Sequence, residues 1–218
     1  MQNAFSTARP SPDAAGGAAG LHALQLGARR DALIYAPPHR PAAAPFALML
    51  HGAGGNARHG LSQLQPLADE HGLIVLAPDS RGDTWDLLIG GYGPDVAFLE
   101  RALRWTFERY AIDARRLAIG GFSDGASYAL SLGLDHGELF THVIAFSPGF
   151  AAPSAPAGAP RLFVSHGTRD AVLPIDRCSR RVVPLLRRAR YDVDYREFDG
   201  PHTVPPEVAA AAVAWFLK

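Results

Sequence analysis

A lone cysteine, Cys178, leaves this 218-residue chain without an internal disulfide, and it is read as a small core or helix residue. None of the nine histidines combines with Cys178 or with other histidines at zinc-ligand spacing, so no structural metal is expected. An excess of one charge is missing too. Lys plus Arg and Asp plus Glu each total 21, so no net field draws the chain to nucleic acid or to an anionic membrane. No apolar run approaches the roughly 18 to 20 residues that span a bilayer. The N-terminus lacks the basic start and continuous apolar stretch of a secretory signal, so a cytoplasmic location is the default expectation.

What is present is the balance of a compact domain: 48% apolar and 19% charged residues. Met1 to Gly20, rich in Ala, Gly, Pro and Ser, reads as a flexible tail, and residues 21–218 as a single domain. Eight apolar runs read as strands: Leu21–Leu26, Ala32–Tyr35, Phe46–Leu50, Leu73–Ala77, Leu117–Gly120, His142–Phe146, Leu162–Ser165 and Val193–Phe198. The first two suggest an antiparallel hairpin. The others are separated by longer segments with helical patterning, over Pro94–Tyr110, Ala126–Leu134, Asp176–Arg190 and Pro206–Leu217. In Pro94–Tyr110, Val96, Leu99, Leu103, Phe107 and Tyr110 recur on one face, and Pro94 suits a first helical turn. Pro184 must bend or interrupt the helix over Asp176–Arg190. Strands alternating with helices imply an α/β architecture with a mostly parallel eight-stranded sheet flanked by helices. Ala151–Pro160 is of low complexity and reads as a surface loop.

Three groups of residues carry chemistry. Gly121-Phe122-Ser123-Asp124-Gly125 has the G-x-S-x-G form. By chance it arises in roughly one sequence in ten at this Gly and Ser content, and its context is what lends it weight. It lies between the strand Leu117–Gly120 and the helix Ala126–Leu134, where a nucleophile elbow belongs. Ser123 is thus the candidate nucleophile. His51-Gly52-Ala53-Gly54-Gly55 follows the strand Phe46–Leu50, and its glycines let backbone amides turn inward. The backbone N–H groups of Ala53 and Asp124 are the candidate oxyanion donors, with His51 supporting the loop.

The acid and the base come by elimination, since both should follow the nucleophile, acid first. Downstream of His166 the only histidine is His202, in a Gly/Pro loop before the last helix. Asp170, shortly after the strand Leu162–Ser165, is the candidate acid that would fix the tautomer of His202. Asp176 and Asp199 compete with it: the first looks like a helix start, and the second lies too close to His202. Trp85, in the long loop Ser80–Gly93, is a candidate for lining the substrate pocket or for pinning that loop.

The blocks LMLHGAGGN, GGFSDGAS, VSHGTRDAVLPI and FDGPHTVPPE resemble those of small α/β-hydrolases in the phospholipase/carboxylesterase group, over about Phe46 to Lys218. They are also similar to acyl-protein thioesterases and to polyhydroxybutyrate depolymerase and feruloyl esterase-like proteins. The resemblance implies a serine hydrolase acting on small-molecule esters through an acyl-enzyme on Ser123, with no cofactor. Relatives often carry Gln where this chain has Asp124, a position that acts through its backbone. No large insertion separates the strands His142–Phe146 and Leu162–Ser165, so a minimal lid or none is expected, favouring short-to-medium esters. A thioesterase or peptidase with the same residues, or a non-catalytic binding protein on this fold, are the alternatives. Oligomeric state stays open, with a dimer among the options.

Overall fold

Alternate residues of the apolar runs face opposite layers, and this alternation sets the architecture. The computed structural model describes Phe5 and residues 8–11, 13–14, 16–27, 29–88 and 90–218. Its strands are β1 (Gly20–Ala23), β2 (Ala32–Ala36), β3 (Ala44–Leu50), β4 (Ile74–Pro78), β5 (Ile112–Phe122), β6 (His142–Phe146), β7 (Arg161–Gly167) and β8 (Val193–Phe198). They form one sheet in the order β1-β2-β4-β3-β5-β6-β7-β8. The pairs β1–β2 and β2–β4 are antiparallel and the remaining five are parallel.

The helices are α1 (Ala57–Ser62), α2 (Gln65–His71), α3 (Pro94–Phe107), α4 (Asp124–Asp135), α5 (Ser179–Arg188) and α6 (Pro206–Phe216). Phe46, Leu48 and Leu50 of β3, with Leu117 and Ile119 of β5, pack in one layer with residues of α3, α4 and α5. Ala47, Met49 and Ala118, one residue out of step, pack in the other with α1, α2 and α6. The period of two along each strand thus fills both layers. No helix among the described residues is long and apolar enough to cross a membrane.

Several expected boundaries shift for local reasons. The first strand stops at Ala23 because the N–H groups of Gln25 and Leu26 turn to the Asp31 carboxylate, at 2.7 and 2.9 Å. The predicted helix over Asp176–Arg190 divides into a 3₁₀ turn at Ile175–Arg177 and α5, which carries Pro184.

Part of the stretch read as a loose tail packs on the domain. Phe5 is buried, edge-on to His136 and Phe140 at 4.7 and 5.9 Å between ring centroids. Gly17 N–H donates to Arg109 O at 2.8 Å, and Tyr110 Oη donates to Ala18 O at 2.9 Å. One phenylalanine in an Ala/Gly/Pro background escapes a reading by composition, yet burying it is worth about 1.5–3 kcal/mol. Residues 1–4, 6, 7, 12 and 15 lie outside the described ones.

The segment after β6 runs along α4. Gly149 N–H donates to Ser127 Oγ at 2.9 Å and Ala152 N–H to Ser131 Oγ at 3.0 Å. The N–H groups of Ser154 and Ala155 donate to the Asp135 carboxylate at 2.9 and 2.6 Å. Residues 127, 131 and 135 are four apart and therefore share one helix face.

Candidate active site

Chain reversal at the end of β5 exposes a serine. Ser123 has φ 58° and ψ −120°, a conformation that costs an L residue on the order of 1–3 kcal/mol. Its N–H is tied to Phe146 O at 2.9 Å, which fixes the turn against β6. The flanking glycines are needed for closeness. A Cβ on Gly121 would lie 2.6 Å from Leu50 O, and one on Gly125 would lie 2.5 Å from the same oxygen. The turn is therefore pressed onto the end of β3, and no side chain fits between.

The loops after β7 and β8 are bonded to each other, which brings the acid and the base together. Thr168 N–H donates to Phe198 O at 2.9 Å and Arg169 N–H to Gly200 O at 3.0 Å. Asp170 and His202 project from these two loops. His202 Nδ1 lies 2.5 Å from Asp170 Oδ2, and its Nε2 lies 2.9 Å from Ser123 Oγ. An ionised carboxylate only accepts, so Nδ1 carries the proton and Nε2 turns its lone pair to the serine hydroxyl. Asp170 is buried, which alone would raise its pKa. Hydrogen bonds from Leu173 N–H, His202 and Val172 N–H outweigh burial and hold it below the ordinary aspartate value. The competing acids lie elsewhere: Asp176 pairs with Arg180 at 2.8 Å and Asp199 with Arg169 at 3.1 Å, both exposed.

The glycine loop after β3 lies against the elbow, since a Cβ on Gly52 would stand 3.3 Å from Ser123 Cβ. Ala53 follows in this loop. Asp124 N–H is the first of α4 and, like the opening amides of any helix, has no acceptor within it. His51 supports the loop from beneath. It is buried, with Nδ1 2.7 Å from Gly52 O and Nε2 accepting Ser80 N–H at 3.0 Å. Burial lowers its pKa, and this bonding requires the neutral ring.

Trp85 does not line an accessible pocket. It is 0% exposed, stacked on Tyr128 at 5.2 Å and 4.9 Å from the His51 ring, with Nε1 donating to His51 O at 2.8 Å. It pins the loop, because a large ring with one donor is most stable where the ring is dry and the donor paired.

The structure also brings in residues the motifs did not point to. Thr84 Oγ1 donates to the Asp124 carboxylate at 2.7 Å. Ser127 Oγ donates to Ser123 O at 3.2 Å. His166 Nε2 stands 3.2 Å from Asp170 Oδ2. Only His166 left a signal, as a histidine four residues before an aspartate at a strand end. A large cavity of about 740 Å³ lies apart, lined by Tyr92, Val96, Leu132 and Asp135 among others. By helix rise, the Leu132–Asp135 end of α4 is roughly 14–18 Å from Ser123.

The sequence pattern of the phospholipase/carboxylesterase family matches residues 98–217, more than half of the chain. A putative esterase, NocK, of Nocardia uniformis subsp. tsuyamanensis is 28% identical over 166 residues, covering 69% of this chain. Those residues cover 48% of NocK, so the chain spans about half the length of that relative. Among solved structures, esterase PE8 superposes with a TM-score of 0.64 at 24% identity, covering 84% of this chain and 98% of PE8. S-formylglutathione hydrolase (FrmB) of Staphylococcus aureus gives 0.74 at 12% identity, covering 93% and 100%. At such identities the likeness speaks for the α/β-hydrolase fold. The fold and the matched residues together place this chain in the phospholipase/carboxylesterase family.

Proposed function

We propose that this protein is a serine esterase that cleaves carboxylic esters of short-to-medium acyl or aryl groups through an acyl-enzyme on Ser123. The observation that carries the reading is the continuous hydrogen-bonded line from Asp170 through His202 to Ser123 Oγ. Ser123 Oγ attacks the ester carbonyl carbon while His202 Nε2 takes its proton. Asp170 stabilises the imidazolium that results. The carbonyl oxygen, now negative, faces the N–H groups of Ala53 and Asp124 beside the positive end of α4. Collapse expels the alkoxide, which leaves as alcohol with the proton from Nε2. Water, losing a proton to the same nitrogen, then attacks the acyl carbon; the acyl–Oγ bond breaks, Ser123 Oγ takes that proton back, and the carboxylic acid leaves.

The segment 147–160 is strapped along α4, which favours small esters, and NocK and PE8, printed as putative esterase and esterase, support ester cleavage. The test is hydrolysis of p-nitrophenyl esters from acetate to palmitate, alongside thioester and anilide counterparts. Wild type should turn over the short esters, with Ser123→Ala lower by several orders of magnitude and blind to a fluorophosphonate probe. Preference for the thioester would reassign the leaving group. An inert wild type that also fails to label would remove the catalytic reading altogether.

A further inference from the structure

His166, near the end of β7, is fully buried and reaches the same carboxylate oxygen that His202 does. Its Nε2 lies 2.8 Å from Leu173 O and 3.2 Å from Asp170 Oδ2, while its Nδ1 lies 2.6 Å from Ser179 Oγ at the start of α5. Both neighbours of Nε2 only accept, so that nitrogen carries a proton. Burial lowers the pKa of the ring, so it is neutral and Nδ1 accepts the Ser179 hydroxyl. The Nε2–H of His166 bonds to Leu173 O, so Asp170 Oδ2 accepts from His202 and has the polar N–H of His166 beside it at 3.2 Å. Its Oδ1 takes the N–H groups of Val172 and Leu173 at 2.9 and 2.8 Å.

We infer that His166 is a positioning residue that sets the basicity of His202 by drawing off part of the charge on Asp170 Oδ2. The inference rests on reading Ser123, His202 and Asp170 as the catalytic groups. A carboxylate oxygen with a second polar N–H beside it offers a weaker field to the imidazolium than one that faces His202 alone. Two contacts hold the ring in this place: Ser179 bonds to Nδ1 from α5, and Leu173 O bonds to Nε2–H in the turn that carries Asp170.

The other charged or titratable groups around the ring are few. Glu197 lies opposite His166 on β8 and is paired with Arg180, which also holds Asp176. Cys178 lies beside Asp170, and burial pushes its thiol up, which keeps it neutral. His202 completes the set. Removing the His166 N–H returns charge to the His202 side of Oδ2 and stabilises the imidazolium. The acid limb of the kcat/KM profile then moves to higher pH.

The experiment is the pH profile of kcat/KM for p-nitrophenyl acetate in wild type, His166→Phe, His166→Asn and His166→Gln, each checked for folding by thermal melting. A Gln amide nitrogen reaches the place of Nε2, whereas that of Asn reaches only the place of Nδ1. Phe and Asn should raise the acid limb by about half a unit to one unit, and Gln should restore the wild-type position. If the Phe variant does not fold, Asn against Gln decides. Limbs of the Phe or Asn variants that coincide with wild type overturn the inference, since a residue that only packs would lower activity without moving the limb. A wild type whose turnover survives Ser123→Ala would sink the reading of the site and the inference with it. Ser123-dependent turnover with unmoved limbs would sink the inference alone.

Discussion

Thr84 donates its hydroxyl to the Asp124 carboxylate at 2.7 Å, and the neighbouring Asp83 O accepts Gly54 N–H at the same distance. One loop thus holds both backbone segments proposed to cradle the oxyanion, the one containing Ala53 and the one opening α4. Oxyanion donors act through position, and a small misplacement weakens the transition state more than the bound ester. Thr84→Val should lower kcat for p-nitrophenyl acetate about tenfold with little change in KM, and Thr84→Ser should recover it. Steady-state kinetics with the three proteins checks this. A Val variant with unaltered kcat would show that the loop does not position these amides.

Ser123 sits at φ 58°, a conformation open to glycine but costly for any residue with a Cβ. Ser123→Gly should therefore be more stable than Ser123→Ala by about 1 kcal/mol, although glycine gains freedom when unfolded. Urea denaturation of the two variants provides the comparison. Equal midpoints would mean that the elbow is not strained.

Asp113 lies at the other end of β5, buried between Arg115 and Arg116. Burial would raise its pKa, but hydrogen bonds from Arg115 and Arg116 outweigh this and bring it to about 2, from an ordinary 3.8. A folded-state value below the unfolded one means stability that is present above about pH 4 and lost as pH falls toward 2. Asp113→Asn should lower Tm at pH 6, and the gap to wild type should narrow below pH 4. A gap that stays constant with pH would trace the loss to packing.

Much of the fold was legible because the apolar runs are unbroken in the strands buried on both faces, such as Phe46–Leu50 and His142–Phe146. The strand–Gly-x-Ser-x-Gly–helix context pointed to Ser123, and chain order narrowed the search to His202 and Asp170, which the structure brings together. What stayed hidden depends on contacts distant in sequence. The partners of Trp85 are His51 O and the Tyr128 ring, and whether a tryptophan faces a substrate or a core is decided by those partners. Phe5 was submerged in the composition around it. Thr84 had no local mark at all, because its partner Asp124 lies forty residues along the chain. The short helices α1 and α2 carry too few turns to show a periodicity.

The segment after β6 shows how a stretch with no regular structure of its own comes to have one path. Its prolines, Pro148, Pro153, Pro156 and Pro160, alternate with the residues whose N–H groups are taken up by Ser127, Ser131 and Asp135 of α4. None of them falls on a donor. The instructions for this segment are thus written on a helix upstream, and the segment need only supply amides at the right intervals. Ala152, Ser154, Ala155, Pro156 and Ala159 are exposed, and the low complexity of the segment goes with that exposure. An alteration of Asp135, by contrast, would release two amides some twenty residues away.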